Sequence, residues 1–395
     1  MQAAAGVSRS ELWSNKDAWV GVRIDLSPYM AERRFKALLT CLRLTAKPRT
    51  SFPDKFHDVR ELQDDFNAHM LRRFFPGTLL CLDATTTHTS VPGYVDAKRK
   101  AHPPGSLYYA LADAETSMIF KVELKEGHDR PLQLGPLPYA ANGQAGGRLR
   151  RMTQNLKGKD HLVYVILDLC PVDALVDMAK DGIYAACMVK KKKKRGWPRL
   201  VPGSECEAFL KGQPVGELHC RRGTISDIAV NLFAVNHGRY IHQVLATYGC
   251  MVLMGDPVPC VTAARDTIHV NRNQVLHDFS NARHAVDDNA SLRQAAVNSL
   301  EATWSSTRWE QRQLAFFVAV VEANSCLAFN HFFARGETLS MPDFRAQVYK
   351  GLLTDWRRKR EGRAEHSGRG PGANQAESGR RAQAGESPQE HQRRV

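Results

Sequence analysis

The chain has 395 residues, of which 43% are hydrophobic, and carries 55 Lys and Arg against 41 Asp and Glu, a formal charge of +14. That length supports a sizeable core and two or three structural units, and the positive balance favours an anionic partner. No apolar run approaches bilayer length, residues 1–11 lack a secretory core, and the nine cysteines are scattered without a CxxC pair, so an intracellular, soluble chain without zinc fingers or membrane spans is expected.

From about Leu12 to Phe75 the pattern is helical. Ser27 and Pro28 suit an N-cap and first-turn proline, followed by an apolar face of Tyr29, Met30, Phe35, Leu38, Leu39 and Leu42. A second helix is signalled by Val59, Leu62, Phe66, Met70 and Leu71 before Pro76-Gly77. Strand signals then take over to Leu200. Thr78–Leu82 and Leu162–Leu167 read as buried strands, each with an acid at its exit, and Ser106–Ala112 with Met118–Leu124 suit a hairpin. Asn142–Met152, rich in Gly and Arg, reads as an exposed loop leading into a helix, Pro171–Asp181 as a helix, and Tyr184–Val189 as a further strand. This alternation predicts a mixed α/β sheet.

Gly203–Gly216 breaks the pattern, and the stretch to Ile268 reads as a β-rich insertion with strands at Ile228–Val235 and Met251–Met254. Helix returns at Arg308–Phe333 and Pro342–Leu353. Beyond Trp356 the composition is polar and charged and predicts disorder.

Three acids stand out: Asp83 and Asp168 at the ends of their apolar runs, and Asp287 in Arg283-His-Ala-Val-Asp-Asp-Asn289. Taken singly, each also suits a solvated acid at a loop. Carboxylates brought from separate elements to one point make an oxygen-ligand site for Mg²⁺, and two such ions can clamp a phosphodiester for in-line attack. The basic block Lys190, Lys191, Lys192, Lys193, Lys194 and Arg195 reads either as a solvated loop or nuclear-import signal or as a phosphate-contacting edge. Arg308 and Arg312 are further candidates to face DNA, with solvated helix charge as the plain alternative. Trp304, Trp309, Phe316 and Phe317 suit a core more than a base-stacking platform. The histidines, His88, His102, His128, His219, His237 and His242 among them, have no metal-site spacing, although His284 stands near Asp287 as a supporting group. Asp256 and Asp266 read as loop acids.

In order along the chain, Met30-Ala-Glu-Arg-Arg-Phe-Lys-Ala-Leu-Leu-Thr-Cys-Leu-Arg43, Asp54-Lys-Phe-His-Asp-Val-Arg-Glu-Leu62, Phe66-Asn67, Asp83, Tyr108–Gly127, His161–Asp168, Tyr184–Pro198, Arg283–Asn289, Trp304, Thr307–Trp309 and Phe316–Phe333 resemble the piggyBac family of transposases and their domesticated relatives. The matches run over about residues 25–355. The resemblance implies an α/β, ribonuclease H-like catalytic domain, interrupted by a β-rich insertion and flanked by helical DNA-binding and dimerisation segments. The corresponding division is a helical segment at 1–76, catalytic core at 77–202, insertion at 203–268, the end of the core with the third acid at 269–290, a helical segment at 291–356 and a tail at 357–395. The resemblance also implies a nuclear protein that binds double-stranded DNA, as a homodimer in one reading. Asp83, Asp168 and Asp287 would be its metal ligands, holding two Mg²⁺ or Mn²⁺ ions for DNA cleavage and strand transfer.

Several family features are missing. Ala84 follows the first acid where Glu is common, Leu169 follows the second where Asn is usual, and Ala290 stands three residues after the third where many members carry Asp. Asp288 is left as an accessory ligand or as a cap for the next helix. The family's Cys-rich zinc module has no counterpart in the Cys-free tail. The alternative function is therefore a domesticated or degenerate, catalytically silent DNA-binding protein on the same fold, and a third is a nuclease unrelated to transposition.

Overall fold

The computed structural model describes residues 27–47, 54, 56–87, 106–126, 143–166, 172–189, 201–238, 240–249, 253–261, 267–294, 299, 301 and 308–367. The chain divides into two units, one holding residues 39–342 and the other residues 7–38 with 343–395.

In the larger unit, helix α2 (His57–Arg73) follows α1 (Glu32–Cys41), which begins in the smaller one. Ser27 and Pro28 lie in a turn, so the expected proline-led start is displaced to Glu32, where the first-turn acid forms an i,i+4 pair with Lys36 at 2.7 Å.

Strands β1 (Leu79–Thr86), β2 (Leu107–Asp113) and β3 (Ile119–Leu124) form an antiparallel meander. Helix α3 (Gly143–Thr153) leads to β4 (Leu162–Val165), and α4 (Val172–Lys180) crosses to β5 (Tyr184–Met188). β4 runs parallel to both β1 and β5. Leu80, Cys81 and Leu82 are fully buried, as expected of a strand covered on both faces.

The Gly- and Arg-rich stretch expected as a loop is thus α3. Its glycines disfavour helix, but Leu149 and Met152 are buried, the Arg148 guanidinium lies 4.0 Å from the Tyr109 ring centre, and Arg151 Nη2 reaches Glu123 at 2.5 Å. Packing outweighs propensity here.

Gly203–Gly216 is likewise not wholly irregular, since α5 (Gly203–Leu210) buries Cys206 and Leu210. It precedes β6 (Leu218–Ile225), β7 (Ile228–Asn236) and β8 (Ile241–Ala246). These three strands extend the same sheet, with β8 antiparallel to β5, giving the order β3-β2-β1-β4-β5-β8-β7-β6. After β8, Gly249 has φ +88°, and a Cβ there would meet Val275 Cγ2 at 2.3 Å, so only glycine fits. A separate ribbon, β9 (Leu253–Val261) with β10 (Thr267–Asn273), follows. Asp256, expected in a loop, belongs to β9; Asp266 lies outside the described residues.

The sheet's two edges are protected differently. At β3, Asn67 of α2 donates to Val122 O and accepts from Val122 N, and Gln63 accepts from Leu124 N. At β6, Arg221 and Arg222 stand exposed.

Asn273 caps helix α6 (Gln274–Ala282) by accepting from Leu276 N at 3.0 Å, and α7 (Ala285–Gln294) follows. Helix α8 (Trp309–Ala328) continues as a π turn through Phe333. By length and composition, Trp309–Phe333 is apolar enough to cross a bilayer, which corrects the expectation that no run reaches that size. In this fold its Phe316, Phe317, Val320 and Ala323 are buried, with Phe66–Phe317 rings 5.5 Å apart, as suits a core helix. Trp309 also packs edge-on to Phe56, whereas Trp304 lies outside the described residues.

In the smaller unit, α9 (Met341–Ser367) has all but its first two residues. It extends past Trp356, whose ring meets Tyr29 edge-on at 5.5 Å, so residues 357–367, expected to be disordered, are helical. Charged residues of high helix propensity can extend a helix without burying apolar surface, a feature that composition alone does not distinguish from a solvated coil. Residues 368–395 lie outside the described residues.

Candidate active site

Asp83 lies inside β1 rather than at its exit, opposite Ala110 of β2, and is only 6% exposed. The strand continues through Ala84, Thr85 and Thr86 because β2 supplies partners out to Leu107. The Oδ1 atom of Asp83 accepts the Ala84 N–H at 2.6 Å. On the other side, the parallel ladder with β4 runs to Leu82–Val165, and Ile166 N–H donates to Leu82 O at 3.1 Å. Asp168, two residues beyond Ile166, lies outside the described residues, as do Leu169 and Lys190, Lys191, Lys192, Lys193, Lys194 and Arg195.

Asp287 and Asp288 occupy the first turn of α7, where the helix dipole favours negative charge, and both side chains are exposed. Asp288 donates its backbone N–H to His284 O at 2.7 Å, so it is a first-turn residue and not the cap. The His284 ring accepts from Arg283 Nε at 2.8 Å.

The placement of α7 on β1 brings these acids to one region. Burial pushes the Cys81 thiol well above its ordinary pKa, and the charges of Asp83, Asp287 and Asp288 push in the same direction, against a hydrogen bond with the Val286 backbone.

Towards the end of α7, Arg293 fixes this placement. It is fully buried, paired with Glu301, and donates from Nη2 to Thr85 Oγ1 at 2.8 Å and Thr86 O at 3.3 Å, while its guanidinium lies 4.6 Å from the Phe316 ring centre. Gln294 also donates to Thr86 O. On the neighbouring face, buried Asn289 donates to Ser117 O and to Asn324 Oδ1, and Asn324 bonds both N–H and C=O of Ile119. Ala290 follows and adds no carboxylate.

Arg308 is engaged within the fold, where it pairs with Glu310 and donates to Thr40 O at 3.1 Å and Leu42 O at 3.3 Å. Arg312 is half-buried on α8. His88, His102 and His128 lie outside the described residues. Among the described residues, no three His, Cys, Asp or Glu side chains form a metal-binding group. The donors that β1 and α7 do present are carboxylate oxygens, the type hard divalent cations take. Sequence reasoning missed Cys81 and Arg293. Cys81 reads as a small core hydrophobe, and the partners of Arg293 on β1 lie 207 and 208 residues away.

The cryo-EM structure of a piggyBac transposase synaptic complex with hairpin DNA resembles this chain with a TM-score of 0.63 at 16% sequence identity. The similarity covers 84% of this chain and 64% of that one, so the chain spans less than two thirds of that transposase's length. Together with the strand order β3-β2-β1-β4-β5, it makes the fold ribonuclease H-like, with an insertion. No curated protein sequence matches the chain. The family model described as Transposase IS4 matches residues 1–326, and the chain belongs to that transposase family.

Proposed function

We propose that the chain is a piggyBac-type DNA-processing protein that cleaves DNA and transfers strands, with Asp83, Asp168 and Asp287 holding Mg²⁺ or Mn²⁺ and Asp288 as an additional oxygen donor. The observation that carries this reading is the packing of α7 on β1: Arg293 and Gln294 of α7 donate to Thr85 and Thr86, just past Asp83, while Asp287 and Asp288 stand in the first turn of the same helix. Bound divalent ions would supply Lewis acidity and charge neutralisation at a phosphodiester.

The chain's own groups prepare that site. Asp83 keeps one oxygen on the Ala84 N–H, which helps to orient its carboxylate. Asp287 and Asp288 are presented toward solvent, where a DNA strand can approach. Arg293 is a positioning residue: by tying α7 to Thr85 and Thr86 it sets the separation of the first and third acids. The excess of Lys and Arg favours the polyanionic substrate. The proposed protein acts on double-stranded DNA as a homodimer in the nucleus.

One observation favours the silent, domesticated alternative. Ala84 and Ala290 flank the acids with methyl groups, so neither position supplies charge to the site.

A supercoiled-plasmid nicking assay in Mg²⁺ or Mn²⁺, run beside a gel-shift assay, separates the two readings. Wild type is expected to nick, while Asp83→Asn and Asp287→Asn bind DNA and lose at least ~100-fold of the rate. Binding by all three proteins with no cutting by wild type would leave the silent DNA-binding reading.

A further inference from the structure

The turn joining β7 to β8 has features that the acid site does not use. Tyr240, which directly precedes β8, is 61% exposed, and its ring stacks on His237 at 5.3 Å with an interplanar angle of 22°. The row continues inward from His237 to His242 at 5.7 Å and from His242 edge-on to buried Phe279 of α6 at 5.6 Å. Four rings thus lead from solvent to the buried residues around Phe279, among them Tyr164, Phe233 and Val275.

The mount is firm. His237 N–H donates to Tyr240 O at 3.0 Å, closing the turn, and Gly238 adopts φ +80° while donating to Asn236 Oδ1 at 2.8 Å. Asn236 in turn donates from Nδ2 to Gln213 O at 2.7 Å, and its backbone pairs with Gly216 and Glu217. An exposed tyrosine on such a support loses little further freedom when a planar ligand stacks on it.

The surroundings are cationic. Burial first, and then the charges of His237, Arg283 and Arg272, lower the His242 pKa to about 4. His237 is shifted the same way, by burial, Arg272 and Arg283. His242 Nε2 is buried without a hydrogen-bond partner among the described residues. Arg272 is positioned by Ser280 at 2.6 Å, and Arg283 is exposed at the end of α6. From Arg283 the chain passes directly through His284 into α7 and Asp287.

An exposed aromatic face whose supporting histidines feel the charge of two guanidinium groups is an arrangement that can hold an unstacked base and its phosphate, because every base has a π face and phosphate pairs well with arginine. Building on the proposed DNA-processing function, we propose that the β7–β8 turn is a stacking platform for an unpaired DNA nucleotide. The base lies on the outer face of Tyr240, extending the Tyr240–His237 stack, and Arg283 and Arg272 meet the phosphate on the side that leads to Asp287.

The test measures binding of a short single-stranded oligonucleotide, and of a duplex with a single-stranded overhang, to the whole protein without divalent metal. Tyr240→Ala is expected to weaken both by roughly 5- to 100-fold, with Tyr240→Phe close to wild type, because the ring and not the hydroxyl does the stacking. Binding to a blunt duplex should change much less. An oligonucleotide carrying 5-iodouracil should photocrosslink to the peptide containing Tyr240. Asp83→Asn should keep this affinity and crosslink while losing nicking, so failure of catalysis and failure of the platform are distinguishable. Unchanged single-strand affinity in Tyr240→Ala, or a crosslink that maps away from the turn in wild type, would overturn the proposal.

Discussion

The β1–α7 region and the β7–β8–α6 region belong to the same unit and use polar residues in opposite ways. Around β1 and α7, buried Arg293, Asn289 and Asn324 spend their polar atoms on Glu301, Thr85, Ser117 and Ile119, joining elements remote in sequence. Along β7, β8 and α6, His237, Tyr240 and His242 stack on one another beside Arg272 and Arg283. The first region holds acids at a set position; the second presents Tyr240 and Arg283 at the surface. A site that must hold acids in register needs the former, whereas a surface that receives a flexible strand can use the latter.

Arg293→Met puts this contrast under the greatest strain. Removing one member of a buried ion pair strands Glu301, so a loss of roughly 3–5 kcal/mol in denaturant unfolding is expected, with little loss for Arg283→Ala. A smaller cost, roughly 2–3 kcal/mol, is expected for Asn324→Leu, which leaves Ile119 N–H and C=O without their side-chain partner and the Asn289 amide with Ser117 O alone. Comparable stability of the Arg293→Met and Arg283→Ala proteins would remove the distinction between the regions.

The second region should show itself through pH. His242 has its pKa lowered from 6.5 to about 4 in the folded chain, so the unfolded chain binds the proton more readily in that window. The stability associated with a neutral His242 is present above 6.5 and is lost as pH falls toward 4. The size is roughly 1–3 kcal/mol. His242→Phe should flatten this part of the stability profile measured by urea unfolding, and an unaltered slope would refute the assignment. The smallest effect is expected at Tyr240→Ala, under ~0.5 kcal/mol in unfolding, because the ring is largely exposed.

Much of the sheet is legible in the chain. The buried runs at Leu79–Leu82, Leu162–Val165 and Ala185–Cys187, and the hairpin of β2 and β3, follow from local pattern. The α3 helix does not, because its glycines argue against helix locally while Tyr109, Glu123 and Asp177, which hold its arginines, are distant in sequence. Asp83 stands out as a strand acid, but its place inside β1 depends on pairing with β2. Asp287 is likewise visible, whereas the frame that sets α7 against β1 is not: the link from Arg293 to Thr85 spans 208 residues. The platform is hidden for a related reason. His237 and His242 have no telling spacing in the chain, and only the folded turn sets them against Tyr240.

The proposed chemistry requires that β1 and α7 together present a divalent-cation site. Mn²⁺ titrated into the full chain, with binding followed by loss of the free-ion electron paramagnetic resonance signal, probes that requirement without recourse to catalysis. Saturable binding by wild type is expected, weakened in Asp83→Asn and in Asp287→Asn, with both variants folded by circular dichroism. Equal Mn²⁺ binding by wild type and both variants would contradict a cation site at β1 and α7.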